Sequence, residues 1–265
     1  MSIHLFRPFT SFLAGLATFI GAFIGSGYDM DYVLALLASF VTFIFCMGDF
    51  ALNDYFDRAI DKINHPERPI PAGKISSRNA FLFAVVFLSI SPVIALFINI
   101  KCLLITLIAF LLTILYEAWL KKKAAGNLVI AIQVSLTFLL GAAAVGGMNR
   151  TIFISLLSFL FIWGREIILD IEDVRGDSDR KTLPMLLGIN KAKILATFLI
   201  TTAIIMSPLP YMLRIFNIYY VFFCAFACLI FIYSIMMIDR NVKKVREITK
   251  YGMLLSLIAF IVGTF

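Results

Sequence analysis

The amino-acid sequence predicts an all-α, polytopic membrane protein with nine transmembrane helices. Its composition, its long apolar runs and the placement of its positive charges lead to that prediction. Of the 265 residues, 62% are hydrophobic, and the mean hydropathy is +0.98. A soluble domain is only about half apolar, so lipid is the expected solvent for most of this chain. We expect a single membrane-embedded domain over residues 1–265.

Uncharged apolar runs recur along the whole chain, and we interpret each as one membrane span. Several are shorter than the roughly 20 residues that cross a bilayer, so polar flanks such as Asp49–Asn53 and Arg165–Asp170 are expected to complete them. The first run is too long for the apolar core of a signal peptide, which indicates a retained helix. The nine predicted spans are Phe9–Gly27, Tyr32–Gly48, Asn79–Ile100, Cys102–Tyr116, Ala124–Asn149, Thr151–Gly164, Ile194–Leu213, Ile215–Ile238 and Tyr251–Phe265.

The positive charges fall on alternate connections between these spans. All but three of the 23 Lys and Arg residues lie on one set of connections, and the other set holds only Lys101, Arg150 and Arg214. Because Lys and Arg accumulate in cytoplasmic loops, we expect a cytoplasmic N-terminus and an external C-terminus in the cell membrane. This bias and anionic lipid headgroups explain the net charge of +7, since no nucleic-acid-binding motif accompanies it.

Two of the predicted cytoplasmic connections carry regularly spaced carboxylates. Each contains three aspartates at positions i, i+3 and i+7, which on a helix form one stripe. The two trios are Asp54, Asp57 and Asp61 after the second span, and Asp170, Asp173 and Asp177 after the sixth. Like charges along one stripe repel one another, so a helix that carries them is destabilised unless a cation neutralises them. Carboxylates that only solvate helix ends are the alternative, but solvation does not require two matching stripes.

The residues around these stripes indicate a site for a divalent cation and a diphosphate. Carboxylates together with an amide such as Asn53 suit a hard ion, and Mg²⁺ commonly binds through one or two carboxylates plus substrate phosphates. Basic residues nearby are expected to meet the remaining phosphate charge. They are Arg58, Arg68, Lys74, Arg165, Arg180 and Lys181. The 27 Phe residues allow an apolar pocket for a polyprenyl tail, although lipid contact also accounts for most of them.

The two aspartate trios belong to longer segments with a recognisable pattern. N-D-Y-F-D-R-A-I-D at residues 53–61 resembles N-D-x-x-D-x-x-x-D, the first Asp-rich signature of the UbiA superfamily of intramembrane prenyltransferases. D-I-E-D-V-R-G-D at residues 170–177 resembles the second signature, D-x-x-D-x-x-x-D. The segments R-P-I-P-A-G-K-I-S and T-L-P-M-L-L-G and the nine-span layout are also similar. The resemblance therefore covers nearly the whole chain.

The resemblance implies nine helices around a central cavity, in which the two motifs face each other and Mg²⁺ ions bridge them to a prenyl diphosphate. The implied metal ligands are Asn53, Asp57, Asp61, Asp170, Asp173 and Asp177. Catalytic roles are expected for Asp54, Asp57, Asp170 and Asp173. Contacts to the substrates are expected from Arg68, Lys74, Tyr116, Lys121, Lys122, Arg165 and Lys181. Many family members carry Tyr-x-x-x-Lys after the fourth span, whereas Tyr116 is followed here by E-A-W-L before Lys121.

The resemblance also implies a reaction. Mg²⁺ and basic residues stabilise the departing diphosphate, and the allylic fragment becomes carbocation-like in an apolar cavity, where aromatic faces stabilise it. A hydroxyl of the acceptor then attacks. Within the superfamily, the likeness is strongest to the archaeal enzymes that form the second ether bond of membrane lipids. It implies geranylgeranyl diphosphate as donor and geranylgeranylglyceryl phosphate as acceptor, but no residue that takes the acceptor's proton is visible in the sequence.

Other functions are open at this point. An aromatic acceptor, as in the synthesis of quinone or haem precursors, is the nearest alternative within the superfamily. A CDP-alcohol phosphotransferase also uses Asp-rich motifs and Mg²⁺, but its D-G-x-x-A-R pattern is absent. A secondary transporter usually binds its substrate near the bilayer midplane, whereas these carboxylates lie at the predicted cytoplasmic ends of helices. The sequence therefore favours prenyl transfer.

Overall fold

The computed structural model describes residues 3–27, 29–173 and 181–265, without the side chains of Ile3 and Asp173. Within these ranges the chain is helical and contains no β-strand. The helices are α1 (Pro8–Ser26), α2 (Tyr32–Asn64), α3 (Ser77–Ile98), α4 (Ile100–Leu115), α5 (Gly126–Ala144), α6 (Met148–Asp173), α7 (Leu183–Leu187), α8 (Ile189–Met206), α9 (Leu209–Met212), α10 (Ile218–Met237) and α11 (Val242–Thr264). A 3₁₀ turn at Ile3–Phe6 precedes α1, and a π-helical turn at Tyr116–Leu120 follows α4.

The helices confirm the prediction of an all-α polytopic membrane protein. In the described part of the chain, eight helical segments are long and apolar enough to cross a membrane, including α1, α2, α5 and the α8–α9 segment Ile189–Met212. The ninth predicted span, Tyr251–Phe265, falls in α11, whose first turns carry basic residues such as Lys243 and Arg246. The count of nine therefore stays a prediction.

Helix α2 extends well beyond its apolar run. Its 33 residues correspond to about 50 Å at 1.5 Å per residue, whereas the hydrocarbon core of a bilayer is about 30 Å thick. The carboxylate of Asp31 caps its first turn by accepting hydrogen bonds from the amides of Val33 and Leu34. The first aspartate motif lies on the last turns of α2, where the helix leaves its apolar segment.

The helices pack in two groups that share α1 and α5. One group contains α1 to α5, and the other continues from α5 through α6, α8, α10 and α11 back to α1. Glycine permits the close approach of α1 and α5, because a Cβ at Gly141 would overlap the carbonyl of Thr18, and a Cβ at Gly21 would overlap the carbonyl of Phe138. This tight contact holds together the helices that form one wall of the site described below.

The predicted topology can be tested at two exposed positions, Ala72 between α2 and α3 and Asn149 at the start of α6. In a cysteine-free background, we expect an impermeant maleimide to label the Asn149→Cys variant on intact cells. The Ala72→Cys variant should react only after the cells are opened, because the positive-inside bias places its connection in the cytoplasm. Labelling of the Ala72→Cys variant on intact cells would contradict the predicted orientation.

Candidate active site

A cavity of about 400 Å³ lies between α1, α2, α4 and α5. Much of its lining is aliphatic or aromatic, with side chains such as Val41, Phe45, Ile105 and Leu140. Charged and strongly polar side chains line the part formed by the chain before α1, the end of α2 and the π-helical turn. They are Arg7, Asn53, Tyr116 and Glu117. The cavity is therefore amphipathic, with a charged mouth next to an apolar interior.

The side chains of the first motif lie along one face of α2 and contact different basic residues. Asp54 and Asp61 are both buried, and each has an arginine partner. Nη2 of Arg7 donates to Oδ1 of Asp54 at 2.8 Å. Nη1 of Arg68 contacts both oxygens of Asp61 at 2.9 and 2.8 Å, and it lies 3.8 Å from Oδ1 of Asp54. Cations of the chain thus neutralise the like charges that the sequence analysis singled out.

Asp57 lies at the edge of this face and contacts Lys121, which follows the π-helical turn. At 100° per residue, a separation of three residues turns the side chain by about 60° from that of Asp54, and this turn directs it to Lys121. Nζ of Lys121 donates to Oδ2 of Asp57 at 2.7 Å. The three carboxylates therefore lie within about 60° of one another around α2. Within the described residues, no three His, Cys, Asp or Glu side chains form a group that could hold a metal ion.

The π-helical turn brings two further charged groups to the mouth. The amide of Lys121 donates to the carbonyl of Tyr116 at 2.8 Å, five residues back, so this turn holds one residue more than an α-helical turn. The turn accommodates the extra residue that distinguishes this segment from Tyr-x-x-x-Lys. As a result, the ammonium of Lys121 still lies 5.9 Å from the centre of the Tyr116 ring and contacts Asp57.

Glu117 lies inside this turn and was not predicted as a site residue. Its side chain is 2% exposed. Oε1 accepts a hydrogen bond from Nδ2 of Asn53 at 2.8 Å, and Oε2 accepts one from Nζ of Lys121 at 3.1 Å. The bond from Nδ2 fixes the orientation of the Asn53 amide and leaves its carbonyl oxygen available as a ligand. A glutamate at the end of an apolar run was the only sequence signal for this residue.

The second motif begins on the last turns of α6. Oδ2 of Asp170 accepts a hydrogen bond from Nδ2 of Asn127, on the first turn of α5, at 2.8 Å. Asp173 ends α6, and its side chain is outside the described part of the chain, as is the whole of Asp177. Asn127 was another residue that the sequence analysis missed.

The connection between α4 and α5, together with the first turn of α5, links the two motifs. Lys121 in the connection contacts the first motif, and Asn127 on α5 contacts the second. The amide of Lys181, which follows the second motif, donates to the carbonyl of Lys122 at 2.8 Å. The side chains of Lys122 and Lys181 are exposed beside this contact. Three of the predicted substrate-binding residues, Lys121, Lys122 and Lys181, are thus neighbours in the structure.

Two other predicted substrate contacts lie apart from the cavity mouth. Nη1 of Arg165 contacts Oε1 of Glu166 at 3.2 Å, and its Nε donates to Thr249 on α11 at 3.3 Å. Lys74 is exposed in the connection between α2 and α3. Neither residue lines the cavity, so any contact that they make with a phosphate must lie outside it.

A second polar group lines the cavity one helical turn before Asn53. Oγ1 of Thr113, on α4, donates to Oδ1 of Asp49 at 3.0 Å, and Nε2 of Gln133, on α5, donates to Oγ1 of Thr113 at 2.7 Å. Asp49 and Gln133 both line the cavity. From the sequence, Asp49 is only the flank of a span, because the convergence of α2, α4 and α5 is a property of the tertiary structure.

Comparisons with known proteins agree with this architecture. The model of the UbiA prenyltransferase family matches residues 14–258. Digeranylgeranylglyceryl phosphate synthase of Methanocaldococcus jannaschii is 38% identical and aligns over 98% of this chain and 95% of its own length. The synthase of the same name from Methanosphaera stadtmanae is 35% identical, over 98% of both chains.

Solved structures share the fold. A structure of digeranylgeranylglyceryl phosphate synthase superimposes with a TM-score of 0.86 at 38% identity, covering 98% of this chain and 96% of that one. A UbiA homologue from Archaeoglobus fulgidus, bound to GPP and Mg²⁺, superimposes with a TM-score of 0.80 at 21% identity, covering 98% and 96% of the two chains. At 21% identity, the similarity to the second structure shows a shared fold and nothing more.

Proposed function

This chain belongs to the UbiA prenyltransferase family, and on that premise we propose that it transfers a geranylgeranyl group from geranylgeranyl diphosphate to the hydroxyl of geranylgeranylglyceryl phosphate. The product carries the second ether bond of archaeal membrane lipids. The observation that carries the proposal is the polarity of the cavity, which has charged residues such as Arg7 and Glu117 at its mouth and aliphatic and aromatic side chains inside. A prenyl diphosphate has the same division between a charged head and an apolar tail.

The relatives support the choice of acceptor. Two proteins named digeranylgeranylglyceryl phosphate synthase align over 98% of this chain at 38% and 35% identity. The aligned length leaves out only about 2% of this chain, so it spans the membrane helices as a whole. The proposed substrates are therefore a prenyl diphosphate and a lipid acceptor.

The donor groups of the motifs fit Mg²⁺. Hard oxygen ligands are what this ion prefers, and the carbonyl of Asn53 and the carboxylates of Asp57 and Asp170 supply them. We assign the metal to the predicted set, which is Asn53, Asp57, Asp61, Asp170, Asp173 and Asp177. When bound, Mg²⁺ neutralises charge on the diphosphate and stabilises it as a leaving group.

Basic residues of the chain complete the diphosphate site. Lys121 contacts Glu117 at the cavity mouth, and its side chain is 9% exposed. Lys122 and Lys181 flank it through their backbone contact. As the allylic carbon–oxygen bond breaks, negative charge grows on the leaving oxygen, and cations already in place lower the energy of that state. Asp54 orients Arg7 and Arg68 at the same end of α2.

The apolar interior protects the reactive fragment. Once the diphosphate departs, the allylic carbon carries positive charge, and water in contact with it would consume the donor. The rings of Phe45, Phe50 and Tyr116 line the cavity, and aromatic faces attract cations. The acceptor hydroxyl is then the intended nucleophile. We place this chemistry at the cytoplasmic face of the cell membrane, because the basic connections surround it.

A competition assay tests the proposed acceptor. Purified protein with Mg²⁺ and geranylgeranyl diphosphate is offered geranylgeranylglyceryl phosphate, 4-hydroxybenzoate and a naphthoate together, and the products are resolved by mass. We expect the glycerol ether to be prenylated at least about 100-fold more efficiently, because a site that binds a hydroxyl discriminates strongly against acceptors that do not place one there. Preferential prenylation of either aromatic acid would contradict the proposed acceptor but would still support prenyl transfer as the reaction.

A further inference from the structure

The polar group of Asp49, Thr113 and Gln133 is distinct from both aspartate motifs. Its members come from α2, α4 and α5, which all line the cavity. Thr113 is fully buried behind the cavity wall, whereas Asp49 and Gln133 line the cavity itself. Carboxylate and amide groups with unpaired polar atoms are unfavourable in the apolar part of a cavity. Their placement here therefore indicates that a ligand pairs with them.

The direction of the hydrogen bonds defines what that ligand must be. Gln133 donates to Thr113, and Thr113 donates to one oxygen of Asp49. The only donor of the Thr113 hydroxyl is therefore already used. Within the part of the chain that the structure describes, no hydrogen bond is found to the second carboxylate oxygen of Asp49 or to Oε1 of Gln133. The group consequently presents two acceptor oxygens to the cavity beside the second N–H of Gln133, and it suits a ligand that both donates and accepts, such as an alcohol.

The position of the group relates it to the reaction. Asp49 lies one helical turn before Asn53 on the same face of α2, since the two are four residues apart. The group therefore lies on the apolar side of the charged mouth, next to the place where the prenyl chain meets the diphosphate in the proposed function. An alcohol bound there is adjacent to the reacting carbon.

We propose that Asp49, Thr113 and Gln133 form the subsite for the acceptor's alcohol, and that Asp49 takes its proton. This inference rests on the proposed function. The acceptor oxygen forms a bond to the allylic carbon, the bond from that carbon to the diphosphate oxygen breaks, and the electron pair leaves with the diphosphate. The hydroxyl proton passes to the free carboxylate oxygen of Asp49. Thr113 and Gln133 are positioning residues that orient this carboxylate.

The first test compares the alcohol with an analogue in which hydrogen replaces the free hydroxyl of geranylgeranylglyceryl phosphate. We expect the wild type to bind the alcohol about tenfold more tightly than the analogue, because a charged acceptor strengthens the hydrogen bond. The Asp49→Asn variant, which turns an acceptor into a donor, should bind the two ligands equally. Equal binding of both ligands by the wild type would overturn the subsite.

The second test separates attack by the acceptor hydroxyl from departure of the diphosphate. In the Asp49→Asn variant, we expect kcat for ether formation to fall about 100-fold, the range of general base catalysis. Slow release of diphosphate from geranylgeranyl diphosphate without acceptor should fall by a much smaller factor, because that reaction does not use the alcohol subsite. Equal kcat values for the variant and the wild type would overturn the role of Asp49. A wild type that does not prenylate the glycerol ether at all would instead contradict the proposed function.

A matched pair of threonine variants covers the case in which Asp49→Asn does not fold. Thr137 also lines the cavity, but its hydroxyl donates to the carbonyl of Val134 in its own helix at 2.7 Å. We expect Thr113→Val to raise KM for the acceptor about tenfold and leave KM for geranylgeranyl diphosphate unchanged, while Thr137→Val changes neither. Equal effects of the two substitutions, or a change in both KM values, would overturn the positioning role of Thr113.

Discussion

Replacing Asp57 with Asn is expected to lower prenyl transfer by about 10³-fold, the upper range for loss of one electrostatic stabiliser of a developing charge. The substitution keeps the size of the side chain but removes the charge that attracts Mg²⁺ at the cavity mouth. The fold should survive, because Lys121 retains its contact with Glu117 at 3.1 Å. We therefore expect activity to be lost while the midpoint of thermal unfolding in detergent stays close to that of the wild type.

The matched control is Asp29→Asn. Asp29 is an exposed aspartate in the connection between α1 and α2, outside both motifs, and its substitution should leave activity and stability unchanged. Asp173→Asn should reproduce the loss of activity seen for Asp57→Asn if the second motif shares the metal. Wild-type turnover of the Asp57→Asn variant in Mg²⁺, or full activity of the wild type after chelation, would contradict metal-dependent transfer.

The sequence predicts the helices well where lipid imposes the pattern. A bilayer requires long apolar segments with satisfied backbone groups, and the predicted first span Phe9–Gly27 differs from α1, Pro8–Ser26, by one residue at each end. Agreement is poorer in the seventh span, Ile194–Leu213. There the helix breaks between α8 and α9 at Ser207 and Pro208, because proline lacks an amide donor for the continuing ladder.

The candidate site is predicted only in part, and the reason is geometric. Residue spacing identifies Asn53 and Asp57, but it does not show which basic side chain faces which carboxylate. Arg7 is 47 residues from its partner Asp54 in the chain, and Lys121 is 64 residues from its partner Asp57. Spacing rules also do not reveal the π-helical turn. They assume α-helical turns, which would place Leu120 rather than Lys121 beside Tyr116.

Arg68 and Asp61 illustrate a conflict between two interpretations. From the sequence, Arg68 is a contact for the diphosphate and Asp61 a ligand for the metal. In the structure they contact each other at 2.8 Å, and the side chain of Asp61 is 4% exposed. Removing one member of a buried ion pair leaves the charge of the other member uncompensated. The structure therefore adds a role in stability to the predicted role in catalysis.

A double-mutant cycle separates these roles. We expect Arg68→Leu to lower the free energy of unfolding by about 3 kcal/mol, because Asp61 and its neighbour Asp54 lose a shared cation. Asp61→Asn in the same chain removes one of the stranded charges and should restore most of that loss. Unfolding in mixed micelles measures both changes. A control substitution, Lys193→Leu, breaks a pair whose partner Asp239 is 79% exposed, and its effect should be much smaller.

Activity in the double variant decides the role of Arg68. If Arg68 also contacts the diphosphate, the protein that carries both Arg68→Leu and Asp61→Asn regains its stability, while its KM for geranylgeranyl diphosphate stays about tenfold or more above that of the single Asp61→Asn variant, because the lost cation no longer meets phosphate charge. Regained stability together with the KM of the single Asp61→Asn variant would restrict Arg68 to a structural role. Unchanged stability of the single Arg68→Leu variant would show that the buried pair contributes nothing to the fold, which the burial of Asp61 argues against.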